Sequence, residues 1–152
     1  MSDSHSTTST DPIVSVPLWF WIVAGIALLW NLMGTAAFAA QMMMTEEALA
    51  PLPEDQQELY RNIPGWVNIA FGFAVFGGVL GSIGLLMRKR WATFVFVLSL
   101  LGVIGQQSYM YLFSDTMAIM GAGAAIFPTI VLLASVGLIV LAIVATQRRW
   151  IR

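Results

Sequence analysis

All 15 charged side chains of this 152-residue chain lie outside four apolar stretches, roughly 17 to 43, 65 to 87, 91 to 113 and 119 to 146. Each stretch has at least about 20 residues, which at 1.5 Å per residue crosses about 30 Å of hydrocarbon. In hydrocarbon the backbone must satisfy its own hydrogen bonds, and the alternating pattern of a barrel strand is absent. The expected fold is therefore all-α: a polytopic membrane protein built as a four-transmembrane-helix bundle. Composition points the same way, with 59% hydrophobic residues, 10% charged residues and a mean hydropathy of +0.82. A soluble domain this apolar would aggregate.

The charges between the stretches set an orientation. Arg88, Lys89 and Arg90 link spans two and three, and Arg148, Arg149 and Arg152 close the chain, whereas Arg61 alone lies on the other side. Six against one places both termini in the cytoplasm by the positive-inside rule. The long connection from Thr45 to Pro64 then faces outward. It carries Glu46, Glu47, Glu54, Asp55 and Glu58 against Arg61, so a net charge of −1 hides a polarised molecule. Neither face has the basic surface expected for nucleic acid.

Three segments follow from this reading: a disordered cytoplasmic tail over 1–16, a transmembrane domain over 17–148, and a short cytoplasmic end over 149–152. The tail is rich in Ser and Thr, lacks aromatics and is punctuated by Pro12 and Pro17. Ala37-Phe38-Ala39 has the small-x-small form of a signal-peptidase site, but no Lys or Arg precedes the apolar run, which is also longer than a signal peptide's. Span one is expected to stay in the mature protein.

Within the acidic connection, Thr45-Glu46-Glu47 and Pro53-Glu54-Asp55 read as helix starts with acids near the N-terminus, so one or two short interfacial helices are expected, with Leu49, Leu52, Leu59, Tyr60 and Ile63 turned toward lipid headgroups or capping the bundle. Trp19, Phe20, Trp21, Trp66, Trp91 and Trp150 fall near span ends, where amphipathic rings favour headgroup level. Trp30 lies near mid-span, where its indole N–H needs a partner. In span four, Gly121 and Gly123 indicate a late helix start, which puts Pro128 in the tolerated first turns.

The spans have readable faces. Ala24, Ala27, Asn31, Gly34, Thr35 and Phe38 share one side of span one, with Ile22, Ile26, Leu29 and Met33 opposite. Span two aligns Ala70, Ala74, Gly77, Gly78 and Gly81, and span three aligns Gly102, Gly105, Gln106 and Tyr109. Such strips let backbones approach closely, so Gly77, Gly78 and Gly81 are expected to pack against another helix. Asn31, Gln106, Gln107 and Tyr109, with Trp30 adjacent, are the candidate polar centre or solute path, because intramembrane polar groups are either functional or interhelical glue.

Absences narrow the chemistry. The chain has no Cys, and its one histidine, His5, is in the tail. Thiol redox chemistry, an intramembrane haem and a metal site all lack their usual ligands, so no cofactor is expected. Proton-coupled antiport through a membrane carboxylate lacks its acid. Catalysis is not expected.

The segments LLWNLMG (28 to 34), LPEDQQELYRNIPGWV (52 to 67), FAVFGGVLGSIGLLMRKRWA (73 to 92) and SLLGVIGQQSYMYL (99 to 112) resemble a family of small bacterial four-span inner-membrane proteins often labelled "sugar transporter". The likeness covers nearly all of 17 to 148. A looser resemblance, resting on span count, is to DoxX-like four-helix membrane proteins. These resemblances imply a bacterial inner-membrane location and a sugar-like solute. Two function classes stay open. One is an uncoupled permease for a neutral polar solute, acting as a homo-oligomer because one four-helix bundle is thin, with the glycine strip of span two as the contact. The other is a non-catalytic accessory or scaffold subunit, with the acidic loop as a docking surface.

Overall fold

The computed structural model describes residues 14–152; His5, Pro12 and the expected tail up to residue 13 lie outside the described residues. The described residues form α1 (Leu18–Met42), α2 (Glu46–Leu49), α3 (Glu54–Arg61), α4 (Gly65–Leu86), α5 (Trp91–Leu112), α6 (Thr116–Met120) and α7 (Ile126–Gln147), with a 3₁₀ turn at Ala122–Ala125 leading into α7. Four segments are long and apolar enough to cross a membrane: α1, α4, α5, and α7 taken with its 3₁₀ turn. The chain is an integral membrane protein of four spans, and a belt of exposed Ile, Leu, Phe and Met side chains, among them Ile22, Ile26, Leu29, Ile69, Phe94 and Leu101, suits lipid contact.

Each boundary has a local cause. Thr45 caps α2, its hydroxyl accepting the Ala48 N–H at 3.3 Å, and Pro53 and Pro64 precede α3 and α4 in extended conformations that stop the chain from running on as helix. The fourth span begins later than residue 119. Gly121 takes φ 77°, which breaks the chain after α6, and α7 starts at Ile126 with Pro128 in its first turn, where no intrahelical N–H is missed.

The helices pack in sequence: α1 on α4, α4 most extensively on α5, and α5 on α7. Small residues make the central contact close. A Cβ on Gly102 would fall 2.5 Å from the Ala70 carbonyl oxygen, and the Ser99 hydroxyl donates to the Ala74 carbonyl across the same interface. Gly77 abuts Ser99 and Gly81 abuts the Phe96 ring, both on α5, whereas Gly78 faces Asn31 of α1. The glycine strip proposed above as a contact between copies is thus occupied within one chain, because its two sides serve two neighbouring helices.

The end carrying the basic residues is closed by an apolar cluster that includes Phe20, Leu85, Phe96, Ala145, Trp150 and Ile151. Trp150 is drawn into this cluster: its ring packs edge-on to Trp19 at 5.4 Å and to Phe20 at 5.7 Å, and Ile151 beside it is 1% exposed. Two helix ends fold the chain inward to achieve this. Arg88 after α4 and Arg149 after α7 adopt left-handed φ values of 58° and 56°, and in both places the next N–H reaches back to the last helical turn, Lys89 to Gly84 O and Trp150 to Ala145 O, each at 2.8 Å. The two turns are tied to each other: Arg152 N donates to Arg88 O, Arg90 N to Arg152 O, and Arg88 Nε to Trp150 O. Val14 and Val16, assigned by sequence to the tail, pack against this cluster.

Candidate functional site

α1 and α7 meet at the basic end but do not pack along their length, so the ring of helices is open on that side. Residues of both helices, among them Trp30 and Met33 of α1 and Phe127 and Val131 of α7, line a cavity of about 490 Å³ in the half of the bundle nearer α2, α3 and α6. Its walls come from the C-terminal halves of α1 and α5 and the N-terminal halves of α4 and α7. Leu59, Tyr60 and Ile63, in and just after α3, and Thr116 and Met120 of α6 roof it, and the apolar cluster lies below its floor.

All five residues of the expected polar centre, Trp30, Asn31, Gln106, Gln107 and Tyr109, line this one cavity. They do not form a hydrogen-bonded network with one another. Asn31 turns to α4 instead: its Nδ2 donates to Ala27 O at 2.8 Å and to Ser82 Oγ at 3.4 Å, and Ser82 in turn donates to Gly78 O at 2.8 Å. Gln107 Nε2 donates to Pro128 O at 2.7 Å, holding α5 to the first turn of α7. The Tyr109 hydroxyl donates to Asn62 O at 3.1 Å while its ring meets Trp66 edge-on at 5.9 Å, which ties α5 to the start of α4. Gln106 is half-buried and its amide has no hydrogen-bond partner among the described residues, nor has the indole N–H of Trp30. These two groups are the free polar capacity of the wall, and the Tyr60 hydroxyl and the Gln56 amide, which also lack a partner among the described residues, add to it at the roof.

Two parts of the site escaped the sequence reading. Phe127 of α7 lies 6.1 Å from Trp30, ring to ring, and this tilted pair bridges α1 and α7 across the opening. Mid-span Trp30 was the available signal, but it asked for an acceptor and met a ring. α6 was not read as a helix: only Ile119 and Met120 fell inside the expected fourth span, and Thr116 to Ala118 lay in the connection before it. The roof was within the sequence's reach, since Leu59 and Tyr60 of α3 and Ile63 after it were expected either to meet lipid headgroups or to cap the bundle, and they line the cavity.

Outside the membrane segments the roof is clipped by an ion pair. Arg61 is bonded to both carboxylate oxygens of Glu46 through Nε at 3.3 and 3.2 Å and Nη2, and Nη2 also donates to Gln57 Oε1 at 3.1 Å. Gln57 Nε2 donates to Leu52 O at 2.8 Å, so α3 is fixed to the turn after α2. The hydrogen bond from Arg61, reinforced by its charge, holds the Glu46 carboxyl below its usual range and raises Arg61 in return.

Among the described residues the cavity lining has no charged side chain and is mostly apolar. Hydrogen bonding by amides and an indole, and dispersion contact with aromatic and aliphatic walls, are the interactions it offers a guest. Comparison of the chain with protein-family models, with curated proteins and with solved structures found no match.

Proposed function

We propose that this protein is an uncoupled, non-catalytic carrier of a small neutral solute in a bacterial inner membrane, with its basic end in the cytoplasm. The cavity supports the reading most directly. Its volume of about 490 Å³ is that of a small-molecule site, commonly about 300–1,000 Å³, and its walls combine apolar surface with a few convergent polar groups. Neutral lining selects against ions, whose desolvation it would not offset. A carboxylate able to couple transport to protons is absent from the lining among the described residues. Closure at the basic end by Phe20, Leu85, Trp150 and Ile151, with a cavity reaching from the other half, suits one state of an alternating carrier.

The cavity lies within one chain, so this reading needs no second copy to build the site. A scaffold subunit docking through its acidic loop would have no use for such a cavity. The test is solute flux into liposomes reconstituted with the full chain, using a panel of small neutral solutes that runs from sugars and polyols to alcohols and esters with a single polar group. We expect flux with the wild type, and loss of it in Gln106→Leu at unchanged melting temperature. A folded wild type that moves nothing on the panel, beside empty liposomes as control, would overturn the reading as applied to free solutes.

A further inference from the structure

α1 and α7 both line the cavity without packing on each other along most of their length, and two of the lining side chains are strongly exposed, Met33 of α1 at 69% and Phe127 of α7 at 65%, so a gap between these two apolar spans would open toward lipid. Trp30 and Phe127 stand across that gap. Most donors that line the interior are already engaged by the protein: Gln107 with Pro128 O, Ser99 with Ala74 O, Ser135 with Val131 O and Tyr109 with Asn62 O. A free sugar presents hydroxyls on every side, and each one left without a partner costs about 1–3 kcal/mol. The wall cannot satisfy so many. It can satisfy one compact polar group, at the Gln106 amide and the Trp30 indole N–H, while covering hydrocarbon elsewhere. An indole N–H left at mid-span without an acceptor is itself costly in lipid, and an incoming hydroxyl or ester oxygen would remove that cost.

We infer that the guest is a neutral single-chain amphiphile, of the monoacylglycerol type, that reaches the cavity sideways from the bilayer between α1 and α7, with the Trp30–Phe127 pair as the bar of the opening. The inference rests on the cavity assigned above as the binding site, but not on transport. Its polar head would meet Gln106 and Trp30, and its chain would leave through the gap and remain in lipid. A fatty acid would be excluded at neutral pH, because no cation lines the cavity to meet its carboxylate among the described residues.

The probe is a monoacylglycerol with a photoactivatable diazirine and an alkyne in its acyl chain, added to the full chain in lipid nanodiscs, with adducts mapped by mass spectrometry. We expect adducts concentrated on Met33, Phe127 and Val131 that excess unlabelled monoacylglycerol suppresses, while adducts on Ile22, Ile69 and Leu101, which face ordinary lipid, are not suppressed. The matching fatty acid should fail to compete. Trp30→Phe keeps a ring but removes the N–H, and should weaken competition about fivefold, the value of one ordinary hydrogen bond. Val131→Trp, which fills the gap from α7, should abolish the suppressible adducts. Uniform, unsuppressed labelling in wild type would overturn the proposal, as would suppression by the fatty acid equal to that by monoacylglycerol. If liposomes carry free sugars while the probe labels uniformly, the carrier reading stands and lateral access falls. If the probe is suppressed at the gap and no panel solute moves, lateral binding stands and carriage of free sugars and polyols falls.

Discussion

The Asn31 amide of α1 occupies the space that a Cβ would take on Gly78 of α4. The two residues are complementary: a glycine leaves a notch, and the amide that fills it reaches Ser82 one turn further along the same helix. Gly78→Ala must push Asn31 aside, breaking its bonds to Ala27 O and Ser82 Oγ. A loss of about 1–3 kcal/mol is expected, as for other overpacked cores. Because the obstacle is a side chain, Asn31→Ala in the same molecule should recover most of it. A thermal-melt double-mutant cycle in one detergent checks this, and strictly additive losses would mean the two do not meet.

Asn31→Leu alone is expected to cost little. The interhelical bond it removes is long, at 3.4 Å, and Ser82 keeps its own acceptor at Gly78 O. Membrane hydrogen bonds of this kind average about 0.6 kcal/mol by mutation. A loss several times larger would show that the amide supports more than the Ser82 contact.

Gly102 and Gly105 lie on one face of α5 yet should respond oppositely to Ala. At Gly102 the new Cβ would meet backbone, Ala70 O at 2.5 Å and Ala74 N at 2.6 Å, and two helices would have to separate. At Gly105 the nearest atom is the Ala70 Cβ at 3.4 Å, an ordinary contact. Gly102→Ala should lower stability clearly, by about 1–3 kcal/mol in a thermal melt, and Gly105→Ala should be neutral or stabilising because Ala is the better helix former.

That contrast marks where the sequence stopped being legible. Charge exclusion and length define the four spans, and helical spacing separates the packed face of α1 from Ile22, Ile26, Leu29 and Met33, which are all exposed. Periodicity names a face but not its partner. It grouped Gly77, Gly78 and Gly81 in one strip, although two contact α5 and one contacts α1, and it grouped Gln106 with Tyr109, although Tyr109 is drawn off to Asn62. The folded-back end of the chain was hidden for a different reason. Arg88 and Arg149 occupy left-handed positions where glycine is usual, so the turns that bury Trp150 and Ile151 carry no turn signature.

The same turns yield a stabilising substitution. Arg149 is exposed and makes no side-chain hydrogen bond among the described residues, yet it bears the left-handed φ of 56°. That conformation costs an L-residue roughly 1–2 kcal/mol, offset in part by glycine's greater freedom in the unfolded chain. Arg149→Gly should therefore raise stability by about 0.5–1 kcal/mol. Arg88→Gly should gain less or lose, because Arg88 Nε also donates to Trp150 O at 2.6 Å. Equal gains in the two melts would show that this bond contributes nothing.

The Glu46–Arg61 clip gives the roof a pH dependence whose sign is fixed. Arg61 depresses the Glu46 carboxyl, so the clip contributes above the ordinary carboxylate range, near pH 4.3, and is lost as pH falls below it. Both partners are exposed, so the effect is local and screened by salt. At neutral pH, Glu46→Gln should speed tryptic cleavage after Arg61, and 1 M NaCl should do the same to the wild type. A near-ultraviolet dichroism titration from pH 7 to pH 3 should show a transition in the wild type that the variant lacks. Identical titrations would mean that the pair does not hold the roof.

Orientation can be tested with the charges that define it. Six basic residues cluster about the two folded-back turns at one end, and Glu46, Glu47, Glu54, Asp55 and Glu58 surround the roof at the other. Retention of Lys and Arg on the cytoplasmic side would leave the roof outside and place the closed cluster toward the cytoplasm. A reporter active only beyond the inner membrane should work when fused between Pro51 and Tyr60 and stay silent after Lys89 or Arg152. Moving the asymmetry should move the protein: replacing Arg88, Lys89 and Arg90 by Gln while adding three Lys near Glu54 should produce a mixed population. If the wild type gives the reverse pattern, the roof lies in the cytoplasm, and the proposed carrier would load from the inside.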